Sequence, residues 1–385
     1  MNLYVLIVLI SVINILQNVA DCKHSRISKK LTSAKIPPYP TNPKPLMYYV
    51  SKRLGTKLVR LIKNELLFIN DMAVCFSFKE QRSEVKKIGI NFYRSSTNKV
   101  KLSTSKKKPT KVYMKKSLAE NYSQFLFFIG LSMGLIPEIT RNDSSQYVKV
   151  FSNNILSSNL KYYKEKNYES KFIANSSFDV YSVMLSPPEF GSRKGKKAYT
   201  FKSHLAKYYK NSVEINSYFK FNDYRRLWYL HCSDKCKRKT DYCKHGGYPR
   251  NDCVYCHCPP FFYGDKCEKI VYDQKICSNK HQLFASSSKK QYSIRNMQSS
   301  CSFLIKSKNR KKVQFNILNL KYPQKTNCWE IGFLEIKYRE DKGLTGLLLC
   351  GNRKNISFPS LSSKVIVLYS GFNFNVNLTF SYKEV

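Results

Sequence analysis

The stretch "QFLFFIGLSMGLIPEITRND", Gln124 to Asp143, decides how this chain folds. A dozen mostly apolar residues run into Pro137, and the polar "EITRND" follows at once. So short a run cannot span a bilayer, which needs about 18 or more apolar residues. It therefore reads as a buried helix of a soluble domain. Upstream, "LGTKLVRLIKNELLFINDMAVCFSF" places Leu58, Leu61, Ile62, Leu66 and Ile69 at intervals of three and four. That spacing predicts an amphipathic helix, followed by a strand around Cys75–Phe78. A strand-like "IGINFY" stands between the two helices. Downstream come "SQYVKVFSNNI", a strand-turn region in "SSFDVYSVMLSPPEFGS", and a closing helix in "FNDYRRLWYLHC". Strands and helices mix in one unit, an α+β domain over residues 46–232.

Before that domain, "KIPPYPTNPKP" has linker chemistry, because proline favours extended chain and resists helix. Residues 21–45 read as a linker or a remnant prosegment. Residues 1–20 carry an unbroken apolar run from Leu3 to Ile10 and end in "NVA". They read as a secretory signal lacking the usual basic start, with an uncleaved membrane anchor as the competing reading. Export makes disulfides the default use of the 13 cysteines. It also gives meaning to the N-x-S/T sites at Asn121, Asn142, Asn175, Asn355 and Asn377, all candidate glycan acceptors.

The 385 residues include 67 Lys+Arg against 25 Asp+Glu, a formal charge of +42. The excess lysine is spread along the chain, so a nucleic-acid ligand is not required, and export argues against one. "KVKLSTSKKKPTKVYMKK", Lys99 to Lys116, is denser and contains no acid. A solvated loop is its plain reading. The sharper one is an anionic glycan held by Lys106, Lys107, Lys108, Lys111, Lys115 and Lys116.

Cys236, Cys243, Cys253, Cys256, Cys258 and Cys267 crowd into a segment too short for a hydrophobic core. Sequence alone permits fifteen pairings of six cysteines. A zinc cluster with His245 or His257 is the competing reading, disfavoured in an oxidising compartment. From Cys277 onward, "KVQFNILNL", "GFLEIKY", "KVIVLYS" and "FNVNLTF" alternate with period two, which predicts a β-sandwich.

The spacing C-x6-C-x9-C-x2-C-x-C-x8-C, ending in "FFYGDKC", resembles an EGF-like module over residues 233–268. That resemblance implies the pairs Cys236–Cys253, Cys243–Cys256 and Cys258–Cys267. Residues 277–385, with "FLEI" after Cys328 and "CG" at Cys350, resemble a CUB domain. This second resemblance implies Cys277–Cys301 and Cys328–Cys350. Many such domains bind calcium through an acidic residue just before the "YLEI"-type strand, and Gly332 stands there instead. Large domain, EGF-like module and CUB domain in that order resemble astacin-type zinc metalloproteases. The expected architecture is thus multidomain: a metzincin-like α+β domain, a disulfide-rich EGF-like module and an all-β CUB-type sandwich.

The family motif is H-E-x-x-H-x-x-G-x-x-H-E-x-x-R-x-D-R-D-x-Y-V, followed later by a Met-turn. Two His at i and i+4 share a helix face and hold zinc, the Glu activates bound water, and the Gly turns the chain toward the third His. Laid on this chain the frame needs no gap. Gly134, Glu138, Arg141, Asp143, Tyr147 and Val148 match, and "FDVYSVMLS" aligns the Met-turn with Ser182 and Met184. Phe127, Leu131 and Pro137 stand at the three His positions and Phe128 at the catalytic Glu. Leu185 and Ser186 replace the His and Tyr after the Met-turn methionine. The resemblance also implies Cys75–Cys232, which leaves Cys22 unpaired. None of His24, His204, His231, His245, His257 and His281 forms a His-x3-His pair, and His204 reads as a solvated residue.

These replacements imply a secreted astacin-like protein that works by extracellular binding, without catalytic or metal residues or a cofactor. Its partner would be an extracellular protein or anionic glycan, with no nucleic acid and no membrane span after signal removal. The alternative is an active zinc-dependent metalloendopeptidase, as family resemblance implies; it requires zinc and ligands that the motif positions do not supply.

Overall fold

The computed structural model describes residues 36–73, 75–209, 218–236, 242–271, 281–297, 301–323, 332–371 and 375–385. The expected export signal over 1–20, together with Cys22, Cys277 and Cys328, lies outside the described residues.

The first block is built on a five-stranded sheet. Its strands are β1 (Leu46–Val50), β2 (Phe78–Glu80), β3 (Ile90–Arg94), β4 (Lys99–Lys101) and β5 (Thr110–Met114). Their order across the sheet is β2-β1-β3-β5-β4. All pairs are parallel except β4 with β5, so β4 is an antiparallel edge strand. The strand near Cys75 starts three residues later than the sequence suggested, at Phe78. Helix α1 (Thr56–Ala73) buries Leu58, Ile62, Leu66 and Ile69, the stripe that its spacing predicts.

Helix α2 (Tyr122–Ser132) differs in kind. It is apolar on every side, and Phe125 through Gly130 are all buried. A helix of that composition belongs in the middle of a core. Asn121 caps it, its side-chain oxygen accepting the Gln124 N–H at 3.0 Å. Gly134 ends it at φ +92°, a left-handed conformation that glycine adopts at little cost.

Residues 36–45 are not a spacer. The Tyr39 hydroxyl lies 2.6 Å from Thr110 Oγ1 and donates to the Ser132 carbonyl at 2.7 Å. Pro37 packs against Gly134, and Ile36 joins a small cluster with Ile136 and Leu230. The prolines make this arm extended, but the aromatic between them anchors it in the core. The strand-turn region around Met184 holds turns and one isolated bridge, from Ser192 to Ile155. Strand β6 (Val148–Val150) pairs instead with β7 (Tyr199–Phe201), and helix α3 (Phe221–His231) closes the block.

Disulfides join Cys75 to Cys232, Cys236 to Cys253, Cys243 to Cys256 and Cys258 to Cys267. The last three lie in a small block with two short hairpins, β8 (Tyr248–Pro249) with β9 (Cys256–His257), and β10 (Phe262–Tyr263) with β11 (Lys269–Ile270). Cys256, Phe262 and Cys267 pack on Leu304, Ile366 and Leu368 of the next block, which compensates for the missing core.

The last block holds β12 (Gln282–Ala285), β13 (Lys290–Met297), β14 (Cys301–Ser307), β15 (Val313–Lys321), β16 (Gly332–Lys337), β17 (Leu347–Leu349), β18 (Arg353–Ser357), β19 (Lys364–Gly371) and β20 (Val376–Glu384). They form two sheets, β12-β14-β19-β16-β17 and β13-β20-β15-β18, whose inward residues share one core. Cys301 and Cys350 are disulfide-bonded. Gly332 sits at φ +103°, where a Cβ would fall 1.7 Å from the Ser370 carbonyl oxygen, so close strand approach requires glycine there.

One side chain on α3 ties the three blocks together. Arg225 donates to the Gly246 carbonyl at 3.0 Å and forms a two-pronged pair with Asp341 at 3.0 and 2.5 Å. Burial alone would raise the Asp341 pKa, but Arg225 outweighs it and holds the carboxyl below its ordinary range. Removing one partner of such a buried pair leaves a desolvated charge. Arg225→Leu is therefore expected to cost about 3 kcal/mol and to speed amide exchange at Gly343 to Leu349; thermal unfolding and hydrogen exchange check both.

Candidate functional site

The end of α2, the turn after it and the Met184 turn form one centre. Phe127 and Phe128 are 0% and 1% exposed. Their rings lie 5.6 Å apart, edge to face, and Phe190 stands 5.2 Å from Phe127 and 6.3 Å from Phe128. Tyr162 completes the group, 5.7 Å from Phe127 and 5.6 Å from Phe190. Leu131 packs against the same core, and Pro137 is half-buried beside it. Met184 lies under the helix so closely that a Cβ at Gly130 would fall 2.4 Å from its sulfur. The Met184 carbonyl accepts the Glu138 N–H at 2.9 Å. Ring contacts thus surround Phe127 and Phe128, while Leu131 and Pro137 are partly exposed.

Zinc does not fit these residues. Phenyl, isobutyl and pyrrolidine groups have no lone pair for a cation, and none can take a proton from water. Among the described residues, no group of three or more His, Cys, Asp or Glu is placed to hold a metal ion. No hydrolytic step can be written through side chains of this kind.

Behind the aromatic floor lies a dense polar network. Glu138, Arg141 and Arg226 are all at most 1% exposed. Arg226 grips Glu138 with both terminal nitrogens, Nη2 at 2.9 Å from Oε1 and Nη1 on Oε2. Burial opposes the Arg226 charge, yet the Glu138 carboxylate raises its pKa above the ordinary value. Glu138 Oε1 also accepts the Asp179 N–H at 2.5 Å. Arg141 forms a side-on pair with Asp143 at 2.7 and 2.8 Å and donates to the Ser176 carbonyl at 2.5 Å.

Asp223, at the start of α3, accepts from the Ser182 hydroxyl at 2.5 Å and the Lys220 N–H at 2.9 Å. Burial and then the nearby Asp179 carboxylate push the Asp223 pKa up to about 6. Asn222 donates to Asp179 at 3.1 Å and accepts from Arg225, which carries the network on to Asp341. The polar flank of α2 is thus spent on holding turns in place.

Other expected residues fall outside this centre. Asn121, Asn142, Asn175 and Asn355 are exposed, whereas Asn377 is half-buried and its side-chain Oδ1 accepts the Asn296 N–H at 2.8 Å. His204 is exposed but not simply solvated, since its Nε2 lies 2.8 Å from the Ser357 carbonyl of the sandwich. Of the six lysines, Lys108 and Lys111 line one cavity, Lys106 and Lys107 stand on the exposed turn, and the Lys115–Lys116 pair follows β5, with Lys116 beside Gly55. Phe190, Tyr162 and Arg226 escaped the sequence reading. They lie far from the motif, with no spacing that points to them.

Against known proteins, the family model for the astacin peptidases matches residues 39–232. The zinc metalloproteinase nas-34 of Caenorhabditis elegans is 27% identical over 247 residues, covering 64% of this chain and 39% of that protein. The chain thus spans about two fifths of the length of the curated relatives it matches. Among solved structures, the hatching enzyme zinc-protease HCE-1 of Oryzias latipes aligns at 16% identity and a TM-score of 0.40, over 48% of this chain and 88% of that one. The CUB1-EGF-CUB2 domain of human MASP-1/3 aligns at 18% identity and a TM-score of 0.22, over 40% of this chain and 57% of that one.

Two outcomes follow from the packing. Phe127→Ala opens a cavity between three rings and should cost about 3–5 kcal/mol, read as a lowered midpoint of denaturant unfolding. His231 is held neutral: burial lowers its pKa to about 4, outweighing the Met133 carbonyl 2.7 Å from its Nε2, which by itself favours the charged ring. The unfolded chain then binds a proton that the fold does not between about pH 6.5 and 4, so stability falls as pH drops through that window. His231→Gln should flatten this loss in a pH series of thermal midpoints.

Proposed function

The chain belongs to the astacin family, and we propose that this member acts outside the cell by binding and does not cleave peptides. The observation that carries this reading is the aromatic packing of Phe127, Phe128, Tyr162 and Phe190 where the family pattern places metal ligands and base. Buried rings in mutual contact offer no lone pair to a metal and no base to a metal-bound water. The retained Glu138, Arg141 and Asp143 are engaged in structural pairs, which explains a kept scaffold without kept chemistry.

In this reading residues 1–20 direct export, residues 46–232 are a peptidase-dead astacin domain, 233–268 an EGF-like module and 277–385 a CUB-like domain. Four described disulfides support the extracellular assignment. The exposed sequons at Asn121, Asn142, Asn175 and Asn355 are accessible for glycans. The partner is an extracellular protein or an anionic glycan.

The secreted protein should contain far less than one zinc per chain and should leave casein intact with or without a chelator. Metal analysis and a casein digestion check this. Stoichiometric zinc together with chelator-sensitive proteolysis would establish the active endopeptidase instead.

A further inference from the structure

We propose that the outer face of the five-stranded sheet in the first block is a binding groove for a sulfated glycan chain. On that face, residues two apart along a strand point the same way. Tyr93 pairs in register with Tyr113, and their rings stack 5.6 Å apart; Tyr49 adds a third ring 6.4 Å from Tyr93. Lys99 and Lys101 on β4 lie opposite Tyr113 and Lys111 on β5. The Lys101 ammonium stands 5.6 Å from the centre of the Tyr113 ring. The face therefore presents half-buried aromatic rings bordered by cations.

A cavity of about 1020 Å³ opens beside these rings, lined by Lys86, Lys101, Lys108, Lys111 and Tyr113. Its one carboxylate is Glu84, and none of the four lysines carries an ion pair among the described residues. Both walls are fixed. Buried Asn91 accepts the Val85 N–H at 2.9 Å and donates to the Val85 carbonyl at 3.0 Å, which pins the segment that carries Lys86. Across the groove, the Ser103 hydroxyl donates to the Lys108 carbonyl at 2.7 Å, and the Ser103 N–H donates to Thr110 at 3.0 Å.

The segment that forms one wall continues into a second cavity of about 960 Å³, reached past Tyr49 and lined by Lys52, Arg53 and Arg82. There the Lys63–Glu80 pair, at 2.8 Å, neutralises itself. Two basic cavities flanking adjacent stretches of one segment, residues 80–86, suit a linear polyanion better than a single small anion.

Two features select sulfated sugar among polyanions. The tyrosine rings offer apolar faces to the C–H faces of pyranose rings, which inorganic polyphosphate does not have. Single-stranded nucleic acid would also stack, but a chain with these disulfides belongs in an oxidising compartment where the available polyanions are glycan sulfates. This site lies outside the aromatic centre around Phe127, and its test separates from that of the non-catalytic reading: lost glycan binding leaves zinc content and casein digestion unaltered.

The test is binding of heparin fragments to the full secreted chain across a salt series. Wild type should bind at about 0.15 M salt, and chemically desulfated fragments should not. Lys101→Glu/Lys108→Glu/Lys111→Glu should lose about tenfold or more in affinity, with the slope of log K against log salt reduced by about two to three, as expected when that many released counterions are lost. Lys289→Glu/Lys311→Glu/Lys312→Glu, on exposed positions of the sandwich, makes the same change in net charge and should lose less than about threefold. Should the strand variant fail to fold, Lys86→Glu/Lys108→Glu alters only loop positions and should lose about threefold or more. Tyr113→Leu should weaken heparin several-fold and leave polyphosphate binding unchanged. Equal losses in groove and sandwich variants, equal binding of desulfated fragments, or tighter binding of an oligothymidylate than of heparin would each overturn the proposal.

Discussion

A guanidinium shut away from water needs a carboxylate, and Arg226 has Glu138. This pair joins α3, late in the first block, to the turn that follows α2. Because Glu138 also takes the Asp179 N–H, the same carboxylate holds the approach to Met184. Breaking either end would leave a charge uncompensated in a dry interior, at several kcal/mol. Three buried carboxylates, Glu138, Asp179 and Asp223, crowd around this guanidinium, and burial first, then repulsion between them, raises the Asp179 and Asp223 pKa values. The cluster is costly to desolvate and specific in geometry, which suits a device that fixes one arrangement of turns.

The aromatic floor is the apolar counterpart of that cluster. In a metal site, ligands, water and second-layer partners share a cavity that must stay open on one side. Here Phe127, Phe128, Tyr162 and Phe190 meet in edge-to-face and tilted contacts, and that ring packing braces the surrounding helix and turns. Gly130 and Gly134 keep the roles that backbone geometry demands: one lets Met184 approach the helix, the other lets the chain turn. The scaffold and the chemistry of such a fold are therefore separable, since different atoms carry them.

Neighbouring positions on α3 divide the work of assembly. Arg226 points into the first block, while Arg225 reaches the cysteine-rich block and the sandwich. Around Arg225, further contacts cross between blocks: Arg339 donates to the Phe178 carbonyl at 2.6 Å and to the Tyr147 hydroxyl at 3.0 Å, and the Tyr181 hydroxyl accepts the Leu348 N–H at 3.0 Å. A cysteine-rich segment without a core of its own gains one by packing on the sandwich.

Local pattern sufficed for much of this molecule. The three-and-four spacing from Leu58 to Ile69 made α1 legible, and the period-two runs made the sandwich strands legible, because each signal arises within one element. The residue types at Phe127, Phe128, Leu131 and Pro137 likewise spoke for themselves: a side chain without a lone pair cannot ligate a metal in any fold. What spacing could not reveal was which distant residues converge. Phe190 and Tyr162 on the aromatic floor, Arg226 on Glu138, and Lys86 opposite Lys101 and Lys111 meet only after the chain has closed over long loops. The proline-rich arm at 36–45 shows the same limit, since its composition favours extended chain, whereas the Tyr39 hydroxyl finds Thr110 and Ser132 only in the assembled core. Short-range chemistry is written along the chain, but partnership between remote groups depends on the free energy of burying them together.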